Sequence, residues 1–260
     1  MIKACFFDID GTLVSLKKKV YPPSLPPAID ALRRKGILCY VATGRSRYEI
    51  AGEHLLDPMC FDGYLTNNGQ DAYDGEGHQL CGISIDKKDA AAVLDWVEKT
   101  GCACWMVGLN HCLLNHASSR VEQAMAAIHT KLPPIGDLRP MLHEPIYKIV
   151  LFLTPEEMQT PLALAQNCRC AQWFDCAFDL ISKDGGKGPA MREILAQHHL
   201  DISQSIAFGD SGNDIDMIRA AGIGVAMENG TPEAKASADY IAPDCDDDGI
   251  VRTLQHFGLL

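Results

Sequence analysis

Cys5-Phe6-Phe7-Asp8-Ile9-Asp10-Gly11-Thr12-Leu13-Val14 is the stretch that decides the fold. The run from Ile2 to Phe7 is too short for helical amphipathicity and reads as a fully buried strand. It stops at two aspartates separated by one residue, followed by a glycine. Carboxylates at a strand's carboxyl end stand where open α/β sheets place their ligands. Taken alone, the segment fits an ordinary strand-to-turn junction as well, because Asp and Gly are common turn residues.

Alternating elements follow. Ser24 is expected to cap a helix with prolines in its first turn, running from Ala28 to Lys35 and stopping at Gly36. A buried strand is expected over Ile37 to Ala42, a helix over Ser46 to Leu56 and a third strand over Tyr64 to Thr66. That β-α-β-α-β order implies a doubly wound parallel sheet. From Asp71 the texture changes. A hairpin over Asp71 to Gly77 precedes helices over Lys87 to Lys99, Arg120 to Lys131 and Pro155 to Ala165, with strands near Cys104 to Val107, Lys148 to Leu153, Gln172 to Phe174 and Phe178 to Ile181. The final third returns to the first texture, with a helix over Gly188 to His198, a strand over Ser205 to Phe208, a helix over Asn213 to Ala221 and a strand over Ile223 to Ala226. The expected organisation is therefore a core built from 1–82 and 184–260, with an α/β domain inserted at 83–183.

Composition excludes several functions. A hydrophobic content of 47% in 260 residues supplies ample core and argues against disorder. A formal net charge of -11 argues against nucleic acid, whose binding rests on neutralising phosphates. No basic, apolar leader precedes the first strand and no apolar run approaches a bilayer's thickness, so a cytoplasmic protein without membrane contact is expected. The 11 cysteines lack the spacings of common zinc sites and read as reduced thiols.

A second acidic cluster, Gly209-Asp210-Ser211-Gly212-Asn213-Asp214, follows the strand ending at Phe208, just as Asp8 follows the first. In a parallel sheet both clusters project from one edge and deliver three carboxylates to one place. A hard divalent cation resolves their repulsion, and Mg²⁺ suits carboxylates completed by water and phosphate oxygen. The second cluster alone fits a helix cap equally well. Lys187 opens a helix after Asp184-Gly185-Gly186, the unfavourable end of a macrodipole for a cation, so its stabilisation must come from elsewhere. Thr43 and Arg45 offer a hydroxyl and a guanidinium after the second strand, and the backbone N–H groups of Ile9 to Thr12 and of Gly44 offer an anion cradle.

Asp8-Ile9-Asp10-Gly11-Thr12-Leu13, Thr43-Gly44-Arg45, Lys187 and Gly209-Asp210-Ser211-Gly212-Asn213-Asp214 resemble, in order, the four motifs of the haloacid dehalogenase superfamily. Asn68-Gly69, the large insertion and Asp248-Gly249-Ile250-Val251 resemble its Cof-type phosphatases with a type IIB cap, and the whole is similar to bacterial sugar-phosphate phosphatases. The resemblance implies that Asp8 is the nucleophile and that Asp10 protonates the leaving alcohol and then activates water. It implies Mg²⁺ held by Asp8, Asp210 and the backbone carbonyl of Asp10. Thr43 and Lys187 would bind the phosphoryl group, and Asp214 would orient Lys187 or metal-bound water. Gly11, Thr12, Gly44, Arg45 and Asn213 would lie near the phosphate or leaving group.

The expected activity is therefore a Mg²⁺-dependent phosphatase for small phosphorylated metabolites, hexose phosphates first, with no obligate protein partner. A cap over the core opening would exclude polymers. A phosphomutase, a phosphatase for pyridoxal phosphate or flavin mononucleotide, and a non-catalytic metabolite-binding protein are the alternatives. Two other signals carry less. Asp244-x-Asp246-x-Asp248-Gly249 mimics the start of a calcium loop but has Gln255 where a bidentate Glu is needed, and Asn229-Gly230-Thr231 matches a glycosylation sequon. Trp96, Trp105, His111, His116, Trp173 and Phe178 of the middle block are expected to be core or surface residues.

Overall fold

The computed structural model describes residues 1–128 and 130–260. Position 129, in the stretch expected to be helical, lies outside the described residues. The chain divides into two compact units, one built from Met1–Gly82 and Gly186–Leu260 and the other from Ile83–Gly185.

The first unit begins with β1 (Ala4–Phe7), α1 (Leu25–Arg34), β2 (Leu38–Ala42), α2 (Arg47–Glu53), β3 (Gly63–Thr66), β4 (Asp71–Asp74) and β5 (Gln79–Gly82). All four residues of β1 are fully buried, as an apolar run without alternation requires of a strand covered on both faces. Cys5 and Phe7 point into one core with Leu25, Ile29 and Leu32 of α1. Ala4 and Phe6 point into a second core on the other face. Phe7 stacks on Phe208 at 5.2 Å and Phe6 on Tyr40 at 5.5 Å. Each buried phenyl ring contributes about 1.5–3 kcal/mol.

The second unit holds α3 (Lys87–Thr100), β6 (Cys104–Gly108), β7 (Cys112–Leu114), α4 (Ser119–Ala127), β8 (Ile146–Leu151), α5 (Gln159–Leu164), β9 (Cys168–Phe174) and β10 (Ala177–Ser182). Its sheet runs β7-β6-β8-β10-β9, antiparallel throughout. One face carries a core of Val93, Leu94 and Val97 from α3 against Met106, Ile149, Leu151, Phe178 and Leu180.

The chain then completes the first unit with α6 (Lys187–Gln197), β11 (Ser205–Gly209), α7 (Ile215–Ala220), β12 (Ile223–Met227), α8 (Pro232–Ala236), β13 (Tyr240–Ala242) and α9 (Gly249–His256). The sheet order is β13-β12-β11-β1-β2-β3-β4-β5. Every pair from β13 to β3 is parallel. The hairpin β4–β5 joins the edge of this same sheet in antiparallel sense, so it extends the parallel core rather than opening the inserted block. α6 contributes Met191, Ile194 and Leu195 to the second core, while α9 contributes Ile250 and Leu254 to the first.

One local expectation needs correction. Ser24 makes no side-chain cap; its hydroxyl donates to Asp248 Oδ1 at 2.5 Å, and the prolines alone set the start of α1. The carboxylates of the calcium-loop mimic are spent separately: Asp244 accepts from the N–H of Asp246, Asp246 pairs with Lys18 and Asp248 takes Ser24. β7 and β13, of three residues each, carry too little pattern to be recognised from sequence. All 11 cysteines are free thiols.

Candidate active site

Parallel pairing places the carboxyl ends of β1, β2, β3, β11 and β12 on one edge. Asp8 follows β1 directly, 4% exposed, with its N–H donating to the carbonyl of Phe208 at 3.0 Å. Lys187 is the first residue of α6 and fully buried, and its Nζ donates to Asp8 Oδ1 and Asp214 Oδ1, each at 2.6 Å. These two carboxylates supply the stabilisation that the helix start denies it. The other oxygen of Asp214 accepts from the N–H groups of Asp210 and Ser211, both at 3.0 Å. Asp214 is thus fully committed and serves to hold Lys187 beside Asp8.

Oxygens of Asp8, Asp210 and Asp214 lie within 4.8 Å of one another. Three buried carboxylates against one ammonium leave excess negative charge at low dielectric. Burial, then Asp214, pushes the Asp8 carboxyl well above the usual range although Lys187 opposes this. Burial, then Asp214, pushes Asp210 up to about 7. Burial pulls on Lys187 in the opposite sense, but Asp214 and Asp8 outweigh it and the ammonium is held. Asp210 Oδ1 is buried with no hydrogen-bond partner among the described residues. An all-oxygen donor set, an orphaned carboxylate oxygen and uncompensated charge together fit a hard divalent cation.

The Gly11 loop is shaped around the Asp210 carboxylate. Gly11 has φ +86°, and a Cβ there would lie 2.4 Å from Asp210 Oδ2. Its N–H donates to Val14 and that of Thr12 to Ile9, so both close the loop on itself. The cradle expected from Ile9 to Thr12 therefore shrinks to the N–H groups of Ile9 and Asp10. Arg45 forks onto Asp10 with Nε to Oδ2 at 2.7 Å and an Nη to Oδ1 at 2.9 Å. The fork places its guanidinium on the second aspartate of the pair. Thr43 is buried, and its hydroxyl oxygen accepts from the N–H of Arg45 at 3.1 Å, leaving its proton to donate.

Two supports escaped sequence reasoning. Asn229, dismissed with the sequon, donates from Nδ2 to the carbonyl of Gly11 at 2.7 Å and accepts from the N–H of Cys245 at 2.9 Å. Thr231 N–H donates to the carbonyl of Asp210 at 2.7 Å. Their position just after a parallel strand was the available signal.

In the inserted unit, Phe178 is core, and His111 pairs with Glu144 at 2.8 Å. Trp96 and His116 line a cavity of 540 Å³ formed wholly by residues of that unit. Trp173 donates to Asp179 at 2.8 Å, and Lys148 lies 5.1 Å from the Trp105 ring centroid.

The family model for haloacid dehalogenase-like hydrolases matches residues 5–254, and those residues contain every group just described. The chain belongs to that family. This hydrolase is a phosphatase of the superfamily. A Streptococcus pyogenes protein named as a bifunctional phosphatase and peptidyl-prolyl cis-trans isomerase is 27% identical over the whole chain, which spans 54% of that protein's length. An HMP-PP phosphatase of Yersinia enterocolitica is 26% identical across 99% of this chain and 96% of its own. The solved structure of the subclass IIB sugar phosphatase BT4131 is 30% identical, with a TM-score of 0.84 over 99% of this chain and 100% of that one. No described helix is long and apolar enough to cross a membrane.

Proposed function

We propose that this hydrolase releases phosphate from small phosphorylated metabolites, hexose phosphates first, with Mg²⁺ as its cofactor and an aspartyl-phosphate on Asp8 as intermediate. The observation that carries the reading is the buried Lys187 shared by Asp8 and Asp214 beside the orphaned oxygen of Asp210. The likeness to a sugar phosphatase supports the substrate class.

Asp8 and Asp210, with the carbonyl of Asp10, would hold the cation. Mg²⁺ supplies charge to the phosphoryl oxygens when bound. Asp8 attacks phosphorus in line, the bond to the leaving oxygen breaks, and Asp10 gives that oxygen a proton. Asp10 then takes a proton from water, the water oxygen attacks phosphorus, and the bond to Asp8 breaks. Lys187 balances the charge of Asp8 and phosphate, the Thr43 hydroxyl donates to a phosphoryl oxygen, and Asp214 fixes Lys187. Both Asp10 oxygens accept from Arg45 in this conformation, and the fork orients the carboxyl for proton delivery. Gly11 acts by making room for Asp210, and Asn213 donates to Asn68 Oδ1.

The test is phosphate release by purified protein with Mg²⁺ across hexose phosphates, nucleotides, pyridoxal phosphate, flavin mononucleotide and HMP-PP. Release with hexose phosphates favoured, and lost in Asp8→Asn, is the expected result. An isomeric phosphate ester as product would mean a mutase. No release from any ester, with ligand binding retained, would mean a metabolite-binding protein.

A further inference from the structure

Asn67, Asn68 and Gly69, directly after β3, have φ of +51°, +59° and +77°. Three consecutive residues in the left-handed region are unfavourable for the two that carry a Cβ, and such strain persists where the surroundings over-determine it. The two asparagines are 1% and 5% exposed. Asn67 Oδ1 is also buried without a hydrogen-bond partner among the described residues, so the turn costs stability twice.

The turn touches three site loops. The N–H of Asn68 donates to the carbonyl of Thr43 at 2.9 Å, and that of Asn67 to the carbonyl of Arg45 at 3.0 Å. Asn68 Oδ1 accepts from Asn213 Nδ2 at 2.9 Å, which ties the turn to the loop carrying Asp210 and Asp214. A Cβ on Gly69 would lie 2.1 Å from the carbonyl oxygen of Gly186 and 2.8 Å from the backbone nitrogen of Lys187, so the turn's backbone lies against the start of α6. A Cβ on Gly44 would lie 3.1 Å from Asn68 Oδ1, so the glycine of the Thr43 loop also makes room for this side chain.

We infer that Asn68 is a positioning residue: its left-handed backbone and its amide fix the Thr43, Lys187 and Asn213 loops relative to one another, and stability is given up for that alignment. The inference rests on the proposed phosphatase reading but addresses the phosphate subsite, which can be probed without turnover. Asn68→Gly keeps the left-handed backbone and the N–H to Thr43 while deleting the amide. The expected result is an unchanged or higher Tm, a kcat lowered on the order of ten- to a hundredfold and a KM altered much less. The double variant with Asn213→Ala should lose no more kcat than Asn213→Ala alone.

An unchanged kcat in Asn68→Gly, a kcat loss matched by a lowered Tm, or losses that multiply in the double variant would overturn the inference. Inorganic phosphate with Mg²⁺ provides the readout independent of turnover. It should raise the Tm of the wild type more than that of Asn68→Gly. If the wild type releases no phosphate, the phosphatase reading fails, and this Tm comparison still decides the turn: equal shifts, or none in either protein, overturn the inference.

Discussion

Each unit buries a lysine against carboxylate, and the two arrangements differ in balance. In the inserted unit Lys148 faces Asp179 at 4.0 Å, with the Trp105 ring and the Trp173 N–H against them. There the aromatic groups share the contact with the charged pair. In the core, Lys187 meets Asp8 and Asp214 at 2.6 Å, and Asp210 adds a third carboxylate nearby. That cluster is short of positive charge. A buried lysine is therefore no mark of a site by itself; an unsettled charge balance around it is.

The comparison breaks most sharply if Asp8→Asn leaves activity standing. Loss of phosphate release on the order of 10⁴-fold is expected, measured beside a circular dichroism spectrum like that of the wild type. Lys187→Met should come next. Removing this ammonium leaves Asp8 and Asp214 buried together, at a cost of about 3–5 kcal/mol in denaturant unfolding. Lys148→Met, with its longer contact, should cost about 1–3 kcal/mol. Equal costs would mean that the two clusters are alike after all.

Proton and cation compete for the core cluster, and the sign can be worked out for Asp210. Its carboxyl is raised from 3.8 to about 7 in the folded protein. The stability it contributes without metal is fully present below about pH 4, and is lost as pH rises through about 7. The difference is on the order of 4 kcal/mol. A divalent cation removes the penalty, so the rise in Tm on adding Mg²⁺ should be larger at about pH 8 than at about pH 5.5. A Tm rise independent of pH would remove the cation from this cluster.

Smaller effects should come from the loops. Gly11→Ala forces a Cβ against Asp210 at positive φ, and should lower stability by about 1–3 kcal/mol and weaken the Mg²⁺-induced Tm rise. Asn229→Ala removes two hydrogen bonds to loop backbone and should cost about 1–2 kcal/mol with a weaker effect on the cation response.

Residues whose placement follows from strand position were legible in the sequence. Asp8, Thr43, Lys187 and Asp210 stand at the ends of apolar runs or at a helix start, and a parallel sheet brings such ends together. The partners of side chains were not legible. Arg45 offered a guanidinium to any anion, and only the fold directs it to Asp10. Asn229 and the turn at Asn67 to Gly69 act through backbone geometry, which leaves no periodicity to read. In the inserted unit the continuous apolar runs of β6 and β8 were visible, whereas the partner strand β7, three residues long, was too short to register.

The register of β1 sets a waiting time. Phe7 pairs with Phe208, some two hundred residues further along the chain. At the usual pace of about 5–20 residues per second, a ribosome takes roughly 10–40 s to deliver that partner. Throughout this interval one side of this fully apolar strand is an unpaired edge, open to other nascent chains. Asp8 at its tip is synthesised some two hundred residues before Asp210 and Asp214, which complete its surroundings.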